Sequence, residues 1–405
     1  MKTSRHGSNL SDYYAPIKLN PVGHDIAAAS KLRAHESKRR NLVEHHLKLP
    51  LMFWKDRRVI EFGPASGENA AVLARAGARM TFVEPLDYLI SELKSKFSQL
   101  GLADRIESVH QDTVEHFKTS ERYEAVYAEG FIQFLEDAPA GVRKLSTLVT
   151  PGGFLVTSMV EPAGTFIEFV KKSFLELAAA ALHKEDGASR LELARSLFGD
   201  QFSAINHSRA FEKWAKDTIL NPLYRPRYFL DLPSTLAALP GDFVLHASWP
   251  NYLDRDDLVW HKNLKSAAAL RAETLRGYYA RAPHFLHSIP HAAGELPLFA
   301  PDDGKRVMRA LHTAYAKMER ALVSKSAEAS AHIKGLAALR RALAPLPQSR
   351  PALEVVDESL ALFRDGAKAR DEASFVKAWK SRKLLHTLWG SPGHHFAFQR
   401  TDLFS

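Results

Sequence analysis

Apolar and polar positions between residues 57 and 160 alternate between two patterns. Short apolar runs, typical of buried strands, are separated by Ala- and Leu-rich stretches with helical periodicity. The strand-like runs are 57–62, 80–83, 106–110, 123–128 and 154–159, and the helical stretches are 68–76, 89–100 and 140–149. Strands that alternate with helices at this spacing predict an α/β fold with a doubly wound, mostly parallel sheet.

The flanking regions are mostly helical, with two returns to a strand pattern. Residues 1–56 predict an N-terminal arm and a helix, residues 161–235 a helical insertion, and residues 236–262 a return to the sheet. Residues 263–390 predict a largely helical region in which Gly335 interrupts one long helix, and residues 391–405 a possible last edge strand. The whole chain therefore predicts a seven-stranded sheet with a helical insertion and a largely helical C-terminal region.

The composition of the chain excludes several kinds of functional site. The 405 residues include no cysteine, which excludes disulfides, thiolate metal sites and a cysteine nucleophile. The first 20 residues are polar and no long apolar run follows, so we expect a cytoplasmic protein with no membrane span. The net charge of +9 lies in residues 255–405, which carry 24 Lys and Arg against 15 Asp and Glu. This excess either attracts nucleic acid or an acidic partner, or simply solvates helix faces.

A glycine-rich turn follows the first strand at Gly63–Gly67 and opens a helix. Glycines allow a tight bend and close approach to a ligand, and the helix start offers free N–H donors. The turn lacks the Gly-x-Gly-x-x-Gly of dinucleotide sites and the Gly-Lys-Ser/Thr of phosphate-binding loops.

The turn instead resembles the first motif of class I S-adenosylmethionine-dependent methyltransferases, an acidic residue and one spacer before Gly-x-Gly-x-Gly. Glu61, Gly63 and Gly67 match this motif, and Ala65 replaces its middle glycine. Four later segments match further motifs of the family in the right order, each at a strand end or before a strand: 83–85, 109–113, 123–131 and 148–155.

The resemblance implies a Rossmann-like core that binds S-adenosyl-L-methionine and releases S-adenosyl-L-homocysteine. In the family, Glu84 would accept hydrogen bonds from the ribose hydroxyls, Asp112 would bind the adenine amino group, and Glu61 would lie near the amino group of the cofactor. The complete implied set is Glu61, Gly63, Pro64, Ala65, Gly67, Glu84, Pro85, Asp112, Thr113, Glu129, Gly130 and Phe131. Tyr13 and Tyr14 resemble an arm that folds over the cofactor, although both could equally be packing residues.

The acceptor side of the site is less defined. Many small-molecule members of the family carry a histidine base after the fourth strand, where this chain has Phe134. Glu129 could then serve as the base or could orient the cofactor. The aromatic residues Trp249, Tyr252 and Trp260 either line the acceptor pocket or belong to an ordinary surface loop. The sequence contains no motif that predicts a metal site.

These observations predict methyl transfer to an oxygen or nitrogen atom of a small molecule, with anionic and sugar-bearing molecules among the candidates. One alternative is an RNA or protein methyltransferase that docks through the basic C-terminal third. Another is a non-catalytic subunit that retains the cofactor fold for partner binding, although such a subunit has no need of both Glu84 and Asp112. The oligomeric state is left open by the sequence.

Overall fold

The computed structural model of the protein describes residues 9–20, 29–205, 210–253, 265–287, 297–324 and 328–401. Its strands are β1 (Arg58–Phe62), β2 (Arg79–Val83), β3 (Ile106–His110), β4 (Tyr123–Glu129), β5 (Val149–Val160), β6 (Phe243–Trp249) and β7 (Gly393–Arg400). Its helices are α1 (Asn9–Ile17), α2 (Ala29–Arg40), α3 (Glu68–Arg75), α4 (Asp87–Gln99), α5 (Ala138–Thr147), α6 (Phe166–Ala181), α7 (Gly187–Ser203), α8 (Phe211–Asp217), α9 (Leu232–Ala238), α10 (Ala267–Arg281), α11 (Pro301–Val323), α12 (Ser330–Leu343), α13 (Arg350–Gly366), α14 (Glu372–Lys380) and α15 (Lys383–Thr387).

The strands form one seven-stranded sheet in the order β3-β2-β1-β4-β5-β7-β6. The pairs β1–β2, β1–β4, β2–β3 and β4–β5 are parallel, whereas β6 and β7 are antiparallel. The predicted doubly wound, mostly parallel sheet is therefore confirmed. The order reverses at β1 and β4, and ligands of such sheets bind outside the carboxyl ends of the strands at this reversal.

The last strand is internal and not the edge strand that we expected. β7 lies between β5 and β6. Arg400, at its end, donates a hydrogen bond of 2.9 Å to the carbonyl of Val149 at the start of β5. β7 therefore runs opposite to β5, and its first residues lie at the carboxyl ends of the parallel strands. Sequence alternation alone does not reveal neighbours, because a strand far along the chain can insert between two earlier ones.

The chain divides into two compact units. Unit 1 comprises Met1–Met159, Leu230–Leu275 and Gly393–Ser405, and it contains the sheet. Unit 2 comprises Val160–Phe229 and Arg276–Pro392, and it is helical. The two helical regions that the sequence separated thus form one unit. No helix in the described ranges is both long and apolar enough to cross a membrane.

The core of unit 1 follows from the strand pattern. Four of the five residues of β1 are buried, as are four of the five in β2, because helices cover both faces of a parallel sheet. One core cluster joins strand residues such as Val59 and Tyr127 with α3 and with the segment that precedes β1, which contributes Leu47 and Trp54. This packing fixes the N-terminal segment on the sheet.

Unit 2 is built by helices that approach closely. Gly335 lies inside α12 and not at a break; the break falls between the end of α11 at Val323 and the start of α12 at Ser330. A Cβ at Gly335 would lie 2.9 Å from the carbonyl oxygen of Ala314 on α11. The glycine therefore permits helix packing, a role that its helix-breaking tendency conceals in the sequence.

A buried histidine makes unit 2 sensitive to acid. The ring of His332 stacks on Phe363 at 4.6 Å, is 1% exposed, and has no hydrogen-bond partner on either nitrogen among the described residues. Burial lowers the pKa of His332 to about 4. Because the unfolded chain binds a proton near the ordinary histidine pKa of about 6.5, the stability of the folded form falls as the pH drops from about 6.5 towards 4.

We therefore expect His332→Phe to stabilise the protein at pH 5 by about 1–2 kcal/mol more than at pH 8. Phenylalanine keeps the stack on Phe363 and removes the group that the unfolded chain protonates. Thermal unfolding at the two pH values measures the difference, and the exposed His45 provides the control as His45→Gln. An equal gain at both pH values would contradict the assignment of a neutral buried ring.

Candidate functional site

The glycine-rich turn after β1 adopts left-handed backbone conformations at three alternate residues. The φ angles are +64° at Gly63, +50° at Ala65 and +81° at Gly67. Alanine in this region is strained by about 1 kcal/mol. The N–H of Ala65 donates a hydrogen bond of 3.2 Å to Oε2 of Glu84, so the conformation of the turn is held from the end of β2.

Glu84 is the buried carboxylate that joins β2 to this turn. Its Oε1 accepts a hydrogen bond of 3.0 Å from the N–H of Leu86, and the residue is only 3% exposed. Burial raises the pKa of Glu84 to about 7, against the lowering effect of the two N–H donors. Each oxygen carries a second acceptor position beyond the one donor described, so the group can still receive two hydroxyl hydrogen bonds.

The remaining residues of the implied cofactor set surround the turn and the neighbouring strand ends. Oδ1 of Asp112, after β3, accepts a hydrogen bond of 2.8 Å from the N–H of Thr113. The ring of Phe131 covers the turn, since a Cβ at Gly63 would lie 3.0 Å from it. Gly130 follows β4 with a φ of +79°. Pro64 is buried in the turn, and Pro85 follows Glu84 directly.

The N-terminal arm contacts this turn. Asn20 donates a hydrogen bond of 2.7 Å to the hydroxyl of Ser66, and the hydroxyl of Tyr88 on α4 donates one of 2.9 Å to the carbonyl of Leu19. The rings of Tyr13 and Tyr14 lie 5.7 Å apart in α1, with Tyr14 buried and Tyr13 half-buried. The arm therefore reaches the implied cofactor loop, which is compatible with the expected cover.

An ion pair at the end of β4 was not predicted. Arg39 of α2 donates from both terminal nitrogens to Glu129, with Nη1 3.1 Å from Oε1 and Nη2 closer still to Oε2. Nδ1 of His395 on β7 lies 3.3 Å from the same Oε1. Burial alone would raise the pKa of Glu129, but Arg39 and His395 hold it down at about 2.

Glu61 of β1 belongs to the same cluster, but its surroundings favour the neutral form of its carboxyl group. It is register partner to Tyr127, and Tyr127 precedes Glu129 by two residues, so the three side chains share one face of the sheet. Burial and the charge of Glu129 raise the pKa of Glu61 to about 8. Its Oε2 is buried without a hydrogen-bond partner among the described residues. Glu61 thus offers a buried oxygen without a described partner, on a carboxyl group whose raised pKa favours the neutral form.

The three predicted acceptor-side residues differ in what they contact. Trp249 ends β6, and its ring lies 6.3 Å from that of His395 and 6.2 Å from that of His46. The hydroxyl of Tyr252 lies 2.8 Å from Nδ1 of His394, and its ring is stacked on Phe396. Trp260 lies outside the described residues. No group of three or more metal-binding side chains occurs in the part of the chain that the structure describes.

Sequence reasoning missed Arg39 and His395. Arg39 lies in a helix with several other basic residues, and nothing local distinguishes the one that is buried. The His394–His395 pair offered a signal, because neighbours on a strand point to opposite faces, so one histidine of the two had to face the site side of β7.

Residues 32–217 match the family model described as a methyltransferase domain. Together with the sheet order, this match identifies a class I methyltransferase domain within these residues and supports an enzyme that uses S-adenosylmethionine.

Solved structures with similar folds are also methyltransferases by name. The chain is similar to the N-methyltransferase NodS from Bradyrhizobium japonicum WM9, with 17% identity over 38% of this chain and 75% of that chain and a TM-score of 0.30. It is similar to the CcbJ methyltransferase from Streptomyces caelestis, with 21% identity over 32% of this chain and 55% of that chain and a TM-score of 0.28. No curated protein matches the sequence.

The Arg39–Glu129 pair can be tested by its contribution to stability. Arg39→Gln leaves a buried carboxylate without its main counter-charge, so we expect the free energy of unfolding to fall by about 3–5 kcal/mol. Its neighbour Arg40 is 57% exposed and pairs with Glu44 on the same helical surface, so Arg40→Gln should lower the free energy by less than about 1 kcal/mol. Chemical denaturation measures both. The pair would lose its assigned importance if the two variants were equally stable.

Proposed function

We propose that the protein transfers a methyl group from S-adenosylmethionine to an oxygen or nitrogen atom of a small molecule. The observation that carries the proposal is the buried carboxylate of Glu84, which holds the glycine-rich turn and keeps acceptor positions for two adjacent hydroxyl groups. Its location at the end of β2, beside the point where the strand order reverses, supports a nucleoside ligand there.

The other residues fit the remaining parts of such a cofactor. The vacant Oε2 of Glu61 supports binding of the ammonium group, because a buried acceptor without a partner favours a cationic donor. Asp112 and Thr113, at the end of β3, suit the adenine amino group and ring. The strained turn at Gly63–Gly67 brings backbone close to the ligand. The bound cofactor would supply a methyl group on a positively charged sulfur, which needs no metal for activation.

A small acceptor is favoured by the surroundings of the site in unit 1. Trp249 and the two histidine rings beside it form an aromatic surface at the ends of β6 and β7. Such a surface can pack against the apolar part of a compact molecule, and the polar groups near it can orient that molecule by hydrogen bonds. Anionic and sugar-bearing acceptors remain part of the proposal, because an imidazole N–H group such as that of His46 can donate to both.

Titration calorimetry with S-adenosylhomocysteine tests the cofactor site. Glu84→Gln removes the charge that receives the hydroxyl groups, so we expect affinity to fall by about 10–100-fold, the equivalent of hydrogen bonds to a charged group. Glu107→Gln is the matched control, since Glu107 pairs with Arg58 and Arg79 at the opposite ends of the strands. Equal affinities of the wild type and the Glu84→Gln variant would contradict the assignment.

The raised pKa of Glu84 predicts a pH dependence. Hydroxyl donors favour the ionised carboxylate, and protonation near pH 7 removes it, so affinity for adenosine should fall as the pH drops from 8 to 6. Adenosine lacks the ammonium group and therefore isolates this contact from Glu61. The pH dependence should be absent in Glu84→Gln, and a slope that persists in the variant would assign it to another group.

A further inference from the structure

A methyl acceptor with an O–H or N–H group needs a base, and the residue expected for this role is Phe134 in this chain. Glu129 is poorly suited to it. Both of its oxygens face Arg39, one also faces His395, and its low pKa makes it a weak acceptor of protons at neutral pH. The base must therefore be sought among the groups next to Glu129.

His395 has the contacts that a general base needs. Its Nδ1 lies 3.3 Å from Oε1 of Glu129, and no partner for Nε2 occurs among the described residues. The side chain is 22% exposed, in contrast to Arg39 at 6% and Glu129 at 10%. A carboxylate within hydrogen-bond reach of Nδ1 favours the tautomer with the proton on Nδ1, which leaves the lone pair on Nε2.

Position in the sheet supports the same role. His395 is register partner to Trp249, so it lies at the end of β6, and its contact with Glu129 places it at the end of β4. The ends of these strands form the side of the sheet on which the glycine-rich turn also lies. Two titratable groups face His395 directly, Glu129 and His46. Arg39 acts on His395 through Glu129, and burial and Lys48 lower the pKa of His46.

We propose that His395 is the general base for the acceptor and that Glu129 is a positioning residue that holds its ring; the inference rests on the proposed function. The acceptor gives its O–H or N–H proton to Nε2 of His395, and the freed lone pair forms the bond to the methyl carbon. The electron pair of the broken carbon–sulfur bond stays on sulfur, which becomes neutral. The imidazolium lies against the Glu129 carboxylate until it loses its proton to solvent.

Transfer of label tests the catalytic role. The purified enzyme is incubated with S-adenosylmethionine that carries a tritiated methyl group and with a protein-free small-molecule extract of the source cells. We expect His395→Gln to lower the single-turnover rate by about 100-fold or more. His45 is exposed and precedes His46 directly, and His45→Gln should keep the rate of the wild type. Imidazole added to His395→Ala should restore part of the rate.

A second measurement needs no acceptor and tests the positioning role. Long-range proton–nitrogen NMR spectra report which ring nitrogen carries the proton, and we expect the Nδ1–H tautomer for His395 in the wild type. Glu129→Gln should shift His395 towards the other tautomer. The Glu129→Gln variant leaves Arg39 unpaired and could fail to fold for that reason. In that case the same spectra are recorded on the double variant Arg39→Gln/Glu129→Gln, which keeps the net charge.

The two proposals fail in different ways. Absence of S-adenosylhomocysteine binding, or of any label transfer by the wild type, would overturn the proposed function. If His395→Gln binds S-adenosylhomocysteine like the wild type and also transfers label at the wild-type rate, the inference is overturned and the proposed function stands. A His395 ring in the Nε2–H tautomer in the wild type would likewise overturn the inference, with or without an acceptor.

Discussion

The ion pair between Arg39 and Glu129 is the interaction on which the site depends. Neither side chain could remain buried and charged alone, because removing a charge from water costs several kcal/mol unless a partner compensates. The pair joins α2, in the segment before the sheet, to the end of β4. It also keeps Glu129 ionised, and only an ionised carboxylate can hold the imidazole of His395 and stabilise its charged form. One contact thus links the N-terminal segment, the centre of the sheet and β7.

Three buried acids near the strand ends differ in protonation because their surroundings differ. Glu129 faces a guanidinium and has a pKa of about 2, and Glu84 faces two N–H groups and has a pKa of about 7. Oε2 of Glu61 has no donor among the described residues, and the pKa of Glu61 is about 8. Like charges at these distances would repel one another, so the neutral state of Glu61 permits Glu129 to stay charged. A new positive charge beside Glu61, such as an ammonium group, would favour its ionisation at neutral pH.

Local patterns in the sequence predicted the strands and the turn, because these features depend on interactions between residues close in the chain. The runs that became β1 to β4 and the turn at Gly63–Gly67 carry their own signals: apolar strands, glycines and acidic strand ends. The position of β7 and the burial of Arg39 depend on contacts between residues far apart in the chain, and no window of the sequence contains both partners. The same reason explains why Glu129 was predicted as an acid beside the cofactor while its two partners were missed.

The register of β7 decides which of two adjacent histidines faces Glu129. A shift of one residue along the strand would exchange the faces of His394 and His395. Tyr252 opposes such a shift, because its hydroxyl is 2.8 Å from Nδ1 of His394 and its ring is stacked on Phe396. Both contacts lie on the face opposite to Glu129, where they bury polar atoms that a shifted strand would leave unpaired. Tyr252, whose predicted acceptor contact stays a prediction, thus holds in register the strand that carries His395.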